Sequence, residues 1–336
     1  MVKKFLVILI VLCSAYSLDC LTSSGNIAPW WTIIKLPKST ATSPIPGKSY
    51  MYLDDKVTTP TVGALPINDT SALFTTLKQL NADTSISYLL YNDEPPTVAQ
   101  LRGSTYAHAK GVLAYKGSEG IYIIHSTPKF PVLDSSNNII LDIADTQIIY
   151  GQNFMCVKLT SSQVFEIAGL MTLNRPQVYY SRIVTSNANI TALASNKASS
   201  LTISKGSMKF NSGSFQFTYF AKTAASGLDL WENVLSPYFA SGFRAETWGR
   251  PYQPSYCTPS YEYDELNILT IAIGKYSWKN TNDHSKWGIS LVGTQVCYAD
   301  INRMDSQKSR GGGAICIDYY PLFSAHLSII ATQDKC

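Results

Sequence analysis

The sequence predicts an α/β fold built from two similar halves, each with a mixed sheet and flanking helices. Short apolar runs typical of buried strands alternate with longer segments whose apolar residues recur at helical spacing. In addition, one motif, His-x-Lys, occurs at His108–Lys110 and again at His284–Lys286, and strand-like segments follow both copies. Length alone fits two domains or one double-sized domain, and the duplicated motif favours two similar halves.

Apolar runs bounded by turn-forming residues predict the strands. The first His-x-Lys copy is followed by two such runs, which the turn Lys116-Gly-Ser-Glu119 joins into a hairpin. After the second copy, residues 287–292 and 295–298 flank a turn at Gly293-Thr294 and predict a second hairpin. The predicted strands outside this second hairpin cover residues 87–91, 111–115, 121–125, 154–159, 177–183, 215–220, 268–273 and 314–317.

Three segments have the apolar spacing of amphipathic helices. The first covers residues 70–80, where the apolar side chains fall on one face behind the potential N-cap residues 68–70. The other two cover residues 161–173 and 227–239. Helices interspersed with strands in this way are typical of α/β layers.

Residues 1–17 are predicted to be a secretory signal peptide. Lys3 and Lys4 precede an apolar run at residues 5–12, which is too short to span a bilayer, and Ala15-Tyr-Ser17 has the small residues of a cleavage site. The stretch 185–200 is polar and rich in Ser, Asn and Ala, which favours a linker. The expected organisation is a signal peptide at 1–17, an N-terminal half at 18–184, a polar linker at 185–200 and a C-terminal half at 201–336.

The cysteines predict an oxidising compartment. Cleavage after the signal peptide removes Cys13 and leaves an even number of cysteines, which implies three disulfides but leaves their pairing open. Two N-glycosylation sequons, at Asn68 and Asn189, agree with the secretory route. We therefore expect a lysosomal or secreted protein with no membrane partner. The sequence does not choose between the two locations, and it leaves the oligomeric state open.

Each His-x-Lys copy combines two groups suited to phosphate chemistry. Histidine can attack phosphorus or transfer a proton near neutral pH, and lysine supplies a positive charge. In an extended strand the side chains of residues i and i+2 point to the same face. Each copy can therefore present an imidazole and an ammonium together to one phosphate.

A polar residue follows each copy at nearly the same distance. His125 lies 17 residues after His108, and Asn302 lies 18 residues after His284. We therefore expect the first hairpin to return His125 beside the first pair and the second hairpin to return Asn302 toward the second pair. The similar spacing indicates that both halves are variants of one unit.

A duplicated His-x-Lys with a polar residue about seventeen positions later resembles the phospholipase D superfamily of phosphodiesterases. Within it, the chain is most similar to the deoxyribonuclease II family of lysosomal acid endonucleases. The similar stretches follow the family's order from residue 20 to Cys336 and so cover essentially the whole mature chain. They are Trp31-Thr-Ile-Ile-Lys-Leu-Pro37, Tyr50-Met-Tyr-Leu-Asp54, Leu89-Leu-Tyr-Asn-Asp93 with Pro95-Pro96, His108-Ala-Lys-Gly-Val112, His125-Ser-Thr-Pro-Lys-Phe-Pro131, Tyr150-Gly-Gln152, Asp283-His-Ser-Lys-Trp287, Asn302-Arg303 and Arg310-Gly-Gly-Gly313.

The sequence departs from the wider superfamily at two places where an aspartate is expected five residues after the lysine. Tyr115 and Leu291 stand there instead. Deoxyribonuclease II enzymes also lack this aspartate, so the difference favours that family over a phospholipase. Pro29 and Lys129 replace residues that are commonly Asp and Asn in the family, and both substitutions can alter the fit of the substrate.

The resemblance implies a phospholipase D-like pseudo-dimer with one active site where the halves meet. It implies an acid endodeoxyribonuclease that hydrolyses DNA phosphodiesters without a metal or other cofactor and leaves 3′-phosphate ends. By analogy with the superfamily, His108 forms a phosphohistidine and His284 acts as acid and base, a choice that the residues alone do not make. Lys110 and Lys286 neutralise the non-bridging oxygens. The disulfides implied by the resemblance are Cys20–Cys156, Cys257–Cys336 and Cys297–Cys316.

Five further residues are candidates for supporting roles. His125 either supports the site or bonds a backbone carbonyl at the hairpin end, and Asp283 either orients His284 or caps a turn. Asn302 is expected to hydrogen-bond phosphate or the facing pair. Arg310 and Gly311 either offer a guanidinium and backbone N–H groups to DNA phosphates or form a flexible turn before Cys316.

The overall charge argues against a general polyanion binder at neutral pH. The full chain carries 27 basic and 23 acidic side chains, and loss of Lys3 and Lys4 leaves a net charge of +2. At about pH 5 all four histidines could be protonated, three of them at the proposed site. We therefore expect acid to increase the attraction of the site for phosphate.

Two other functions remain open. A catalytically silent, secreted DNA-binding relative, such as a toxin or effector, would keep the scaffold, although both His-x-Lys pairs being intact disfavours silence. A phospholipase D-like enzyme acting on other phosphodiesters is disfavoured by the family motifs. A zinc site is disfavoured because the sequence has no H-x-x-x-H or C-x-x-C spacing, and a serine hydrolase is disfavoured because it has no G-x-S-x-G.

Overall fold

A computed structural model describes residues 17–40, 43–96, 106–197, 199, 201–251 and 253–336. The predicted signal peptide therefore lies outside the described residues, except for Ser17. The described part of the chain is a mixed α/β structure with two large sheets and a small ladder between β1 (Cys20–Leu21) and β2 (Ile27–Ala28). No helix within the described ranges is long and apolar enough to cross a membrane.

The first large sheet comes from residues 30–182, and within the described ranges it has seven strands. They are β3 (Trp30–Lys35), β4 (Tyr50–Asp54), β5 (Ser87–Asn92), β6 (Lys110–Lys116), β7 (Glu119–His125), β8 (Gln152–Thr160) and β9 (Val178–Arg182). Their spatial order is β4-β3-β8-β7-β6-β5-β9, and every neighbouring pair is antiparallel. Gly117, at a φ of 56°, forms the tight turn between β6 and β7.

The second large sheet comes from residues 205–333. Its strands are β10 (Lys205–Ser212), β11 (Phe215–Lys222), β12 (Phe243–Glu246), β13 (Glu265–Ile273), β14 (Tyr276–Lys279), β15 (Trp287–Ser290), β16 (Gln295–Ala299), β17 (Gly312–Asp318) and β18 (Ile330–Gln333). The order is β10-β11-β17-β16-β15-β12-β13-β14, with β18 also paired to β13. The pair β12–β13 is parallel, and the other neighbours are antiparallel.

The helices agree with the predicted ones in two of three places. They are α1 (Ala72–Ala82), α2 (Ser161–Asn174), α3 (Ala188–Ala194), α4 (Ser236–Phe239), α5 (Asp305–Lys308) and α6 (Tyr320–Ser328). The predicted helix at 227–239 is wrong in its first part: Gly227, at a φ of 66°, ends a 3-10 turn, and a π-helical turn (Trp231–Leu235) then leads into α4. The segment 185–200, predicted as a polar linker, contains α3, in which Ile190 and Leu193 are buried.

The two sheets repeat one spatial order around their His-x-Lys segments. In the first sheet the order is β5-β6-β7-β8-β3-β4, and in the second it is β12-β15-β16-β17-β11-β10. In each, the motif leads into β6 or β15, and the following hairpin strand lies beside it.

The ladders correct the correspondence inferred from the 17- and 18-residue spacing. Ile124 lies opposite Gly111, which places His125 opposite Lys110, one step further along the ladder. Tyr298 lies opposite Trp287, and Ala299 donates its N–H to the carbonyl of Lys286. The residue at the ladder position of His125 is therefore Ala299, and Asn302 lies three residues beyond it. Similar spacing along the chain thus did not mean the same position in the fold.

A shared core joins the two sheets. One hydrophobic cluster contains Trp30, Leu113 and Tyr122 from the first sheet together with Trp287 and Ile315 from the second. Helix α2 contacts β6, β7 and β8 on one side and β10, β11 and β17 on the other. Across the same interface, Thr32 donates its hydroxyl to that of Tyr298 (2.6 Å), which also bonds the buried His326 (2.7 Å). This packing fixes how the two His-x-Lys segments face each other.

Three disulfides lie within the described ranges: Cys20–Cys156, Cys257–Cys336 and Cys297–Cys316. They are the pairs that the family resemblance implied. The first lies in the seven-stranded sheet and its N-terminal ladder, and the third links adjacent strands β16 and β17. The sequon residue Asn189 is exposed, and Asn68 is half-buried at the start of the loop before α1.

Candidate active site

Both His-x-Lys pairs open into one cavity of about 120 Å³ between the two sheets. The remaining lining residues are Glu94, Ser126, Pro128, Trp248, Asn302, Met304 and Gln307. Drug-sized ligands usually occupy pockets of about 300–1,000 Å³, so this volume suits a phosphate group better than a whole nucleotide. Each pair comes from a different sheet, because Lys110 begins β6 and Lys286 directly precedes β15. The cavity is therefore a composite of the two halves.

The backbone and the ring of His108 are both held by the second half of the chain. The N–H of His108 donates to the carbonyl of Gly311 (3.0 Å), and ring atom Nδ1 lies 2.6 Å from Oε1 of Gln307. When Nδ1 carries the hydrogen, this bond leaves the lone pair on Nε2. A Cβ atom on Gly311 would lie 2.0 Å from the carbonyl oxygen of Asn174, so only glycine allows this approach.

The carboxylate of Asp93 lies close to three groups that are positive or can become so. Its carboxylate binds Nζ of Lys110, accepts from Nη2 of Arg310 (3.0 Å), and lies 4.0 Å from Nε2 of His108. Burial by itself would raise the pKa of Asp93, but Lys110, His108 and Arg310 together hold it well below its ordinary value. Asp93 is therefore an anion that anchors the first pair.

The backbone of His284 is held by the first half of the chain in the same way. Its N–H donates to the carbonyl of Gly151 (2.9 Å), and its ring stacks on Tyr150 with the centroids 4.1 Å apart and the planes inclined by 12°. Trp248 contacts the ring from a second direction at 5.0 Å. Nε2 of His284 has no hydrogen-bond partner among the described protein groups. A group that lacks a partner beside a cavity is available to a substrate.

Burial and positive charge set the pKa of His284. Desolvation is the largest cause, and Lys286, Lys110 and Lys35 act in the same direction, so the pKa falls to about 3. Desolvation also lowers the pKa of His108 well below its ordinary value; Asp93 opposes this, and Lys110, Lys286 and Arg310 add to it. Each histidine is thus under the influence of the lysine from the other half.

Lys286 is fixed from both its backbone and its side chain. Its N–H donates to Oδ1 of Asn153 (2.8 Å), and Nζ donates to the carbonyl of His284 (3.1 Å). Burial, followed by the charge of Lys110, lowers the pKa of Lys286 to about 7, although Asp93, Asp300 and Glu94 oppose the shift. Its ammonium is therefore charged in acid and loses its proton near neutrality.

Asp300 lies buried beside the same charges. Its carboxylate accepts the N–H of Gly313 (3.0 Å). Burial raises the pKa of Asp300 to about 7, against the opposing influence of Gly313, Lys286 and Lys110. In acid Asp300 is neutral, which leaves the positive charge of the lysines less compensated.

His125 lies at the end of β7 but does not line the cavity. It is buried against Phe130 and Phe154, and its Nδ1 accepts the N–H of Thr127 (3.2 Å). Lys110 and Lys286 are near enough to contribute to its lowered pKa, which burial dominates. Its contacts are those of a residue that packs beneath the site.

The expectation that the histidines become charged near pH 5 is wrong for the free protein. Burial lowers the pKa of all four, to about 3 for His284 and about 4 for His326. Sequence alone gave no measure of burial. Burial is the largest cause of each shift, and the charges of Lys110 and Lys286 add to it at His108, His125 and His284.

Asp283 does not bond the imidazole of His284. Its carboxylate accepts the indole N–H of Trp278 (2.6 Å) and the N–H of Ser285 (2.8 Å), so it shapes the turn that carries the second motif. Burial is the main cause that raises its pKa. Asn302 lines the cavity, and its Oδ1 has no protein partner in the described residues.

Arg310 and Gly311 contact the first motif. Besides Asp93, the guanidinium of Arg310 donates to the carbonyls of Tyr106 (3.1 Å) and Ala107 (3.2 Å). Gly311 holds the backbone of His108, as described above. Contact of these residues with DNA remains a prediction.

Sequence reasoning missed several residues that shape the site: Asp93, Tyr150, Trp248, Asp300 and Gln307. Asp93 and Tyr150 belonged to family-like stretches but were given no role. The sequence did contain a signal for Asp93: a carboxylate directly after an apolar strand lies at the end of a sheet, where functional side chains often gather. Gln307 and Trp248 are brought in by long-range packing, and no local pattern indicates them. Metal-binding clusters of three or more His, Cys, Asp or Glu side chains are not found among the described residues.

Comparison with known proteins assigns the family. The family model for deoxyribonuclease II matches residues 19–336. Deoxyribonuclease-2-alpha of Sus scrofa is 30% identical over 346 residues, with 95% of this chain and 91% of the relative covered. Deoxyribonuclease-2 of Caenorhabditis elegans is 29% identical over 361 residues, covering 95% and 94%. Plancitoxin-1 of Acanthaster planci is 28% identical over 337 residues, covering 95% and 93%.

The family match spans both sheets and both His-x-Lys pairs that form the cavity. Together with the relatives, it shows that this chain belongs to the deoxyribonuclease II family.

Proposed function

We propose that this protein is an acid endodeoxyribonuclease that hydrolyses DNA phosphodiesters without a metal ion and leaves 3′-phosphate ends. Membership of the family supports a nuclease that acts on DNA. The observation that carries the finer proposal is the convergence of two histidines and two lysines, one pair from each sheet, on a phosphate-sized cavity. The chain is then a pseudo-dimer, with its halves at 18–184 and 201–336.

In the first step, the neutral His108 attacks phosphorus through Nε2. The hydrogen bond from Nδ1–H to Gln307 supports this tautomer, and Asp93 stabilises the positive charge that the ring gains. The P–N bond forms as the bond from phosphorus to the leaving 5′ oxygen breaks. His284, protonated in the complex, gives its proton to that oxygen.

In the second step, water replaces the histidine. The now neutral His284 removes a proton from water, the water oxygen bonds to phosphorus, and the P–N bond breaks to regenerate His108. The DNA strand released in this step carries a 3′-phosphate. One histidine thus cycles between acid and base, and the other between free and phosphorylated forms.

Lys110 and Lys286 supply positive charge to the non-bridging oxygens in both steps. Both lysines are buried, so their charges act through a medium of low dielectric. Asn302, whose Oδ1 is unpartnered in the described structure, is available to a phosphate-bound hydroxyl or water. These groups provide the electrostatic stabilisation that a metal provides in other nucleases.

Acid dependence follows from three groups. His284 must be protonated to act as an acid, and its pKa is lowered to about 3, so its protonated fraction increases as the pH falls. Lys286, with a pKa of about 7, is fully charged only in acid. Asp300, with a pKa of about 7, loses its negative charge in acid. All three changes favour binding and cleavage of a phosphodiester below neutral pH.

The secretory route completes the proposal. Three disulfides and the family both fit a protein of the secretory pathway. We infer that the protein is lysosomal or secreted, with glycans at Asn68 and Asn189.

A plasmid nicking assay tests the proposal. Supercoiled DNA is incubated at acid and neutral pH, with excess EDTA or with magnesium, and the new ends are probed with a 3′-phosphatase. We expect cleavage in EDTA, faster in acid, with ends that the phosphatase must treat before a polymerase can extend them. Chelator-sensitive cleavage restored by magnesium contradicts the metal-free mechanism. Binding of DNA without cleavage at any pH supports the silent relative instead.

A further inference from the structure

Two buried lysines outside the cavity occupy the same position in the two sheets. Lys35 is the last residue of β3 and pairs with Gln152 at the start of β8, while Lys222 is the last residue of β11 and pairs with Gly312 at the start of β17. Both are fully buried, and neither lines the cavity. The proposed reaction uses neither of them, so their burial needs another explanation.

Both lysines donate to backbone carbonyls of a loop that contacts a histidine, and Lys35 also binds two carbonyls of the segment between β3 and β4. Nζ of Lys35 donates to the carbonyls of Tyr150 (2.6 Å), Gly47 (3.1 Å), Leu36 (3.2 Å) and Ile148 (3.4 Å). Nζ of Lys222 donates to the carbonyls of Arg310 (2.5 Å), Lys308 (3.0 Å) and Gln307 (3.4 Å). An ammonium has three hydrogens and can donate to several carbonyls at once. Each lysine therefore holds the surrounding backbone segments around one charged group.

The two loops that these lysines hold are the ones that contact the histidines. The residue after Tyr150 is Gly151, whose carbonyl accepts the N–H of His284. The residue after Arg310 is Gly311, whose carbonyl accepts the N–H of His108. The side chains of the same loops add the ring of Tyr150 on His284 and the amide of Gln307 on His108. Each half of the chain therefore holds the histidine of the other half.

Burial makes the charged form of both lysines unfavourable. Desolvation lowers the pKa of Lys35 to about 7, with Asp283 opposing, and the pKa of Lys222 to about 8, with Asp229 opposing. A pair of buried ammonium groups at equivalent positions, each bound to the loop that orients a histidine, fits a role in the site better than a role in packing, which an apolar side chain would serve.

We propose that Lys35 and Lys222 are positioning residues, Lys35 for the leaving-group acid His284 and Lys222 for the nucleophile His108, each acting through its carbonyl-bound loop. This proposal rests on the division of roles in the proposed function. Removal of Lys35 then impairs protonation of the leaving group, and removal of Lys222 impairs attack on phosphorus. The two lysines occupy the same ladder position in their sheets, but their loops contact different histidines, so they support different steps.

The test compares two substrates that differ in their need for an acid. Cleavage of DNA requires protonation of the 5′ oxygen, whereas thymidine 3′-(p-nitrophenyl phosphate) releases a phenolate that departs without a proton. Activity is measured as the rate of the first turnover with enzyme in excess, because His284 also serves as the base of the second step for both substrates. The variants are Lys35→Met and Lys222→Met, which keep side-chain length and remove the donors. The control is Lys78→Met on α1, which removes only an exposed ion pair with Asp69 in the preceding loop.

We expect Lys35→Met to lose at least tenfold more activity on DNA than on the nitrophenyl substrate. Lys222→Met should lose activity on both by similar factors, and Lys78→Met should retain both. Equal ratios in the two site variants, or full activity in either, would overturn the proposal. If Met prevents folding, as judged by secretion and thermal unfolding, Lys35→Gln and Lys222→Gln keep two donors and should show the same pattern with smaller losses.

His284→Ala separates failure of the proposal from failure of the proposed function. If His284→Ala loses much less activity on the nitrophenyl substrate than on DNA while Lys35→Met loses equally on both, only the positioning role is wrong. If His284→Ala itself shows no dependence on the leaving group, the assignment of His284 as the acid is wrong.

Discussion

The two His-x-Lys segments share a backbone environment but have opposite side-chain surroundings. Asp93 lies one residue beyond Asn92, which pairs with Lys110 in the β5–β6 ladder. In the second sheet, the last pair of the β12–β15 ladder is Glu246 with Trp287, so Trp248 occupies the place relative to Lys286 that Asp93 has relative to Lys110. One motif is thus flanked by a carboxylate and the other by an indole.

The loops that contact the two histidines differ in the same way. Tyr150 and Arg310 each precede the glycine that accepts a histidine N–H, yet Tyr150 stacks on His284, whereas Arg310 binds Asp93 beside His108. His108 therefore has a carboxylate to compensate a positive ring, and His284 has aromatic rings that exclude water. A duplicated scaffold can thus assign different proton chemistry to identical motifs through the residues around them.

The largest expected effect concerns the composite nature of the site. His108→Ala and His284→Ala should each reduce plasmid cleavage by roughly a thousandfold or more. Both histidines act in the same reaction, so the loss of either one removes most of the catalysis. The variants should be secreted with their disulfides formed, and rates should be measured on that folded protein. Two independent sites would instead leave each variant with about half of the activity, and that result would contradict a composite site.

The lysines should give the next largest effect. Lys110→Met and Lys286→Met should each reduce kcat by roughly a hundredfold, the usual consequence of removing one donor to a developing oxyanion. The pH dependence should distinguish the two lysines, because wild-type activity should fall as Lys286 loses its proton near pH 7. A Lys286→Arg variant, which stays charged, should retain more of its own acid activity at pH 7.5 than the wild type does. Parallel pH profiles for the two proteins would exclude titration of Lys286 as a cause.

Asp93 should matter for stability as well as for rate. Asp93→Asn leaves the buried Lys110 without its anion and should lower the free energy of unfolding by about 3 kcal/mol. The pKa of Asp93 is depressed in the folded state, so the carboxylate stabilises the fold above its unfolded pKa and this contribution is lost as the pH falls through the folded value. The difference from wild type in denaturant unfolding should be constant from pH 5 to 8 and shrink below about pH 4. Trp248→Phe, at the equivalent place, should show no such pH dependence.

The sequence predicted the motifs, the hairpins after them and most strands, because these depend on local residue types and on period-two apolar runs. It did not predict what surrounds each histidine. Gln307 reaches His108 across 199 residues of chain, and Trp248 reaches His284 only because β12 lies beside β15. Each histidine is held by a loop from the other half, which is a tertiary feature with no periodic signal. Spacing along the chain indicated Asn302 as the equivalent of His125 in the second half, whereas the ladders place Ala299 there. Burial, which determines the pKa values, is a property of the packed molecule.

The smallest expected effect concerns the stacking of Tyr150 on His284. Tyr150→Leu removes the ring stacked on His284 and admits water, so the pKa of His284, which desolvation lowers to about 3, should rise toward its ordinary value. Because His284 must be protonated to act as an acid, a higher pKa extends activity to higher pH, and the alkaline limb of the kcat/KM profile should move toward neutrality by roughly half a pH unit or more. Tyr150→Phe keeps the stacked ring and should leave the limb in place. Arg310→Leu, at the equivalent loop position, removes a partner of Asp93 and should weaken the protein without moving that limb. A limb that stays fixed in Tyr150→Leu, or moves equally in both loop variants, would show that the two histidines do not owe their difference to these flanking residues.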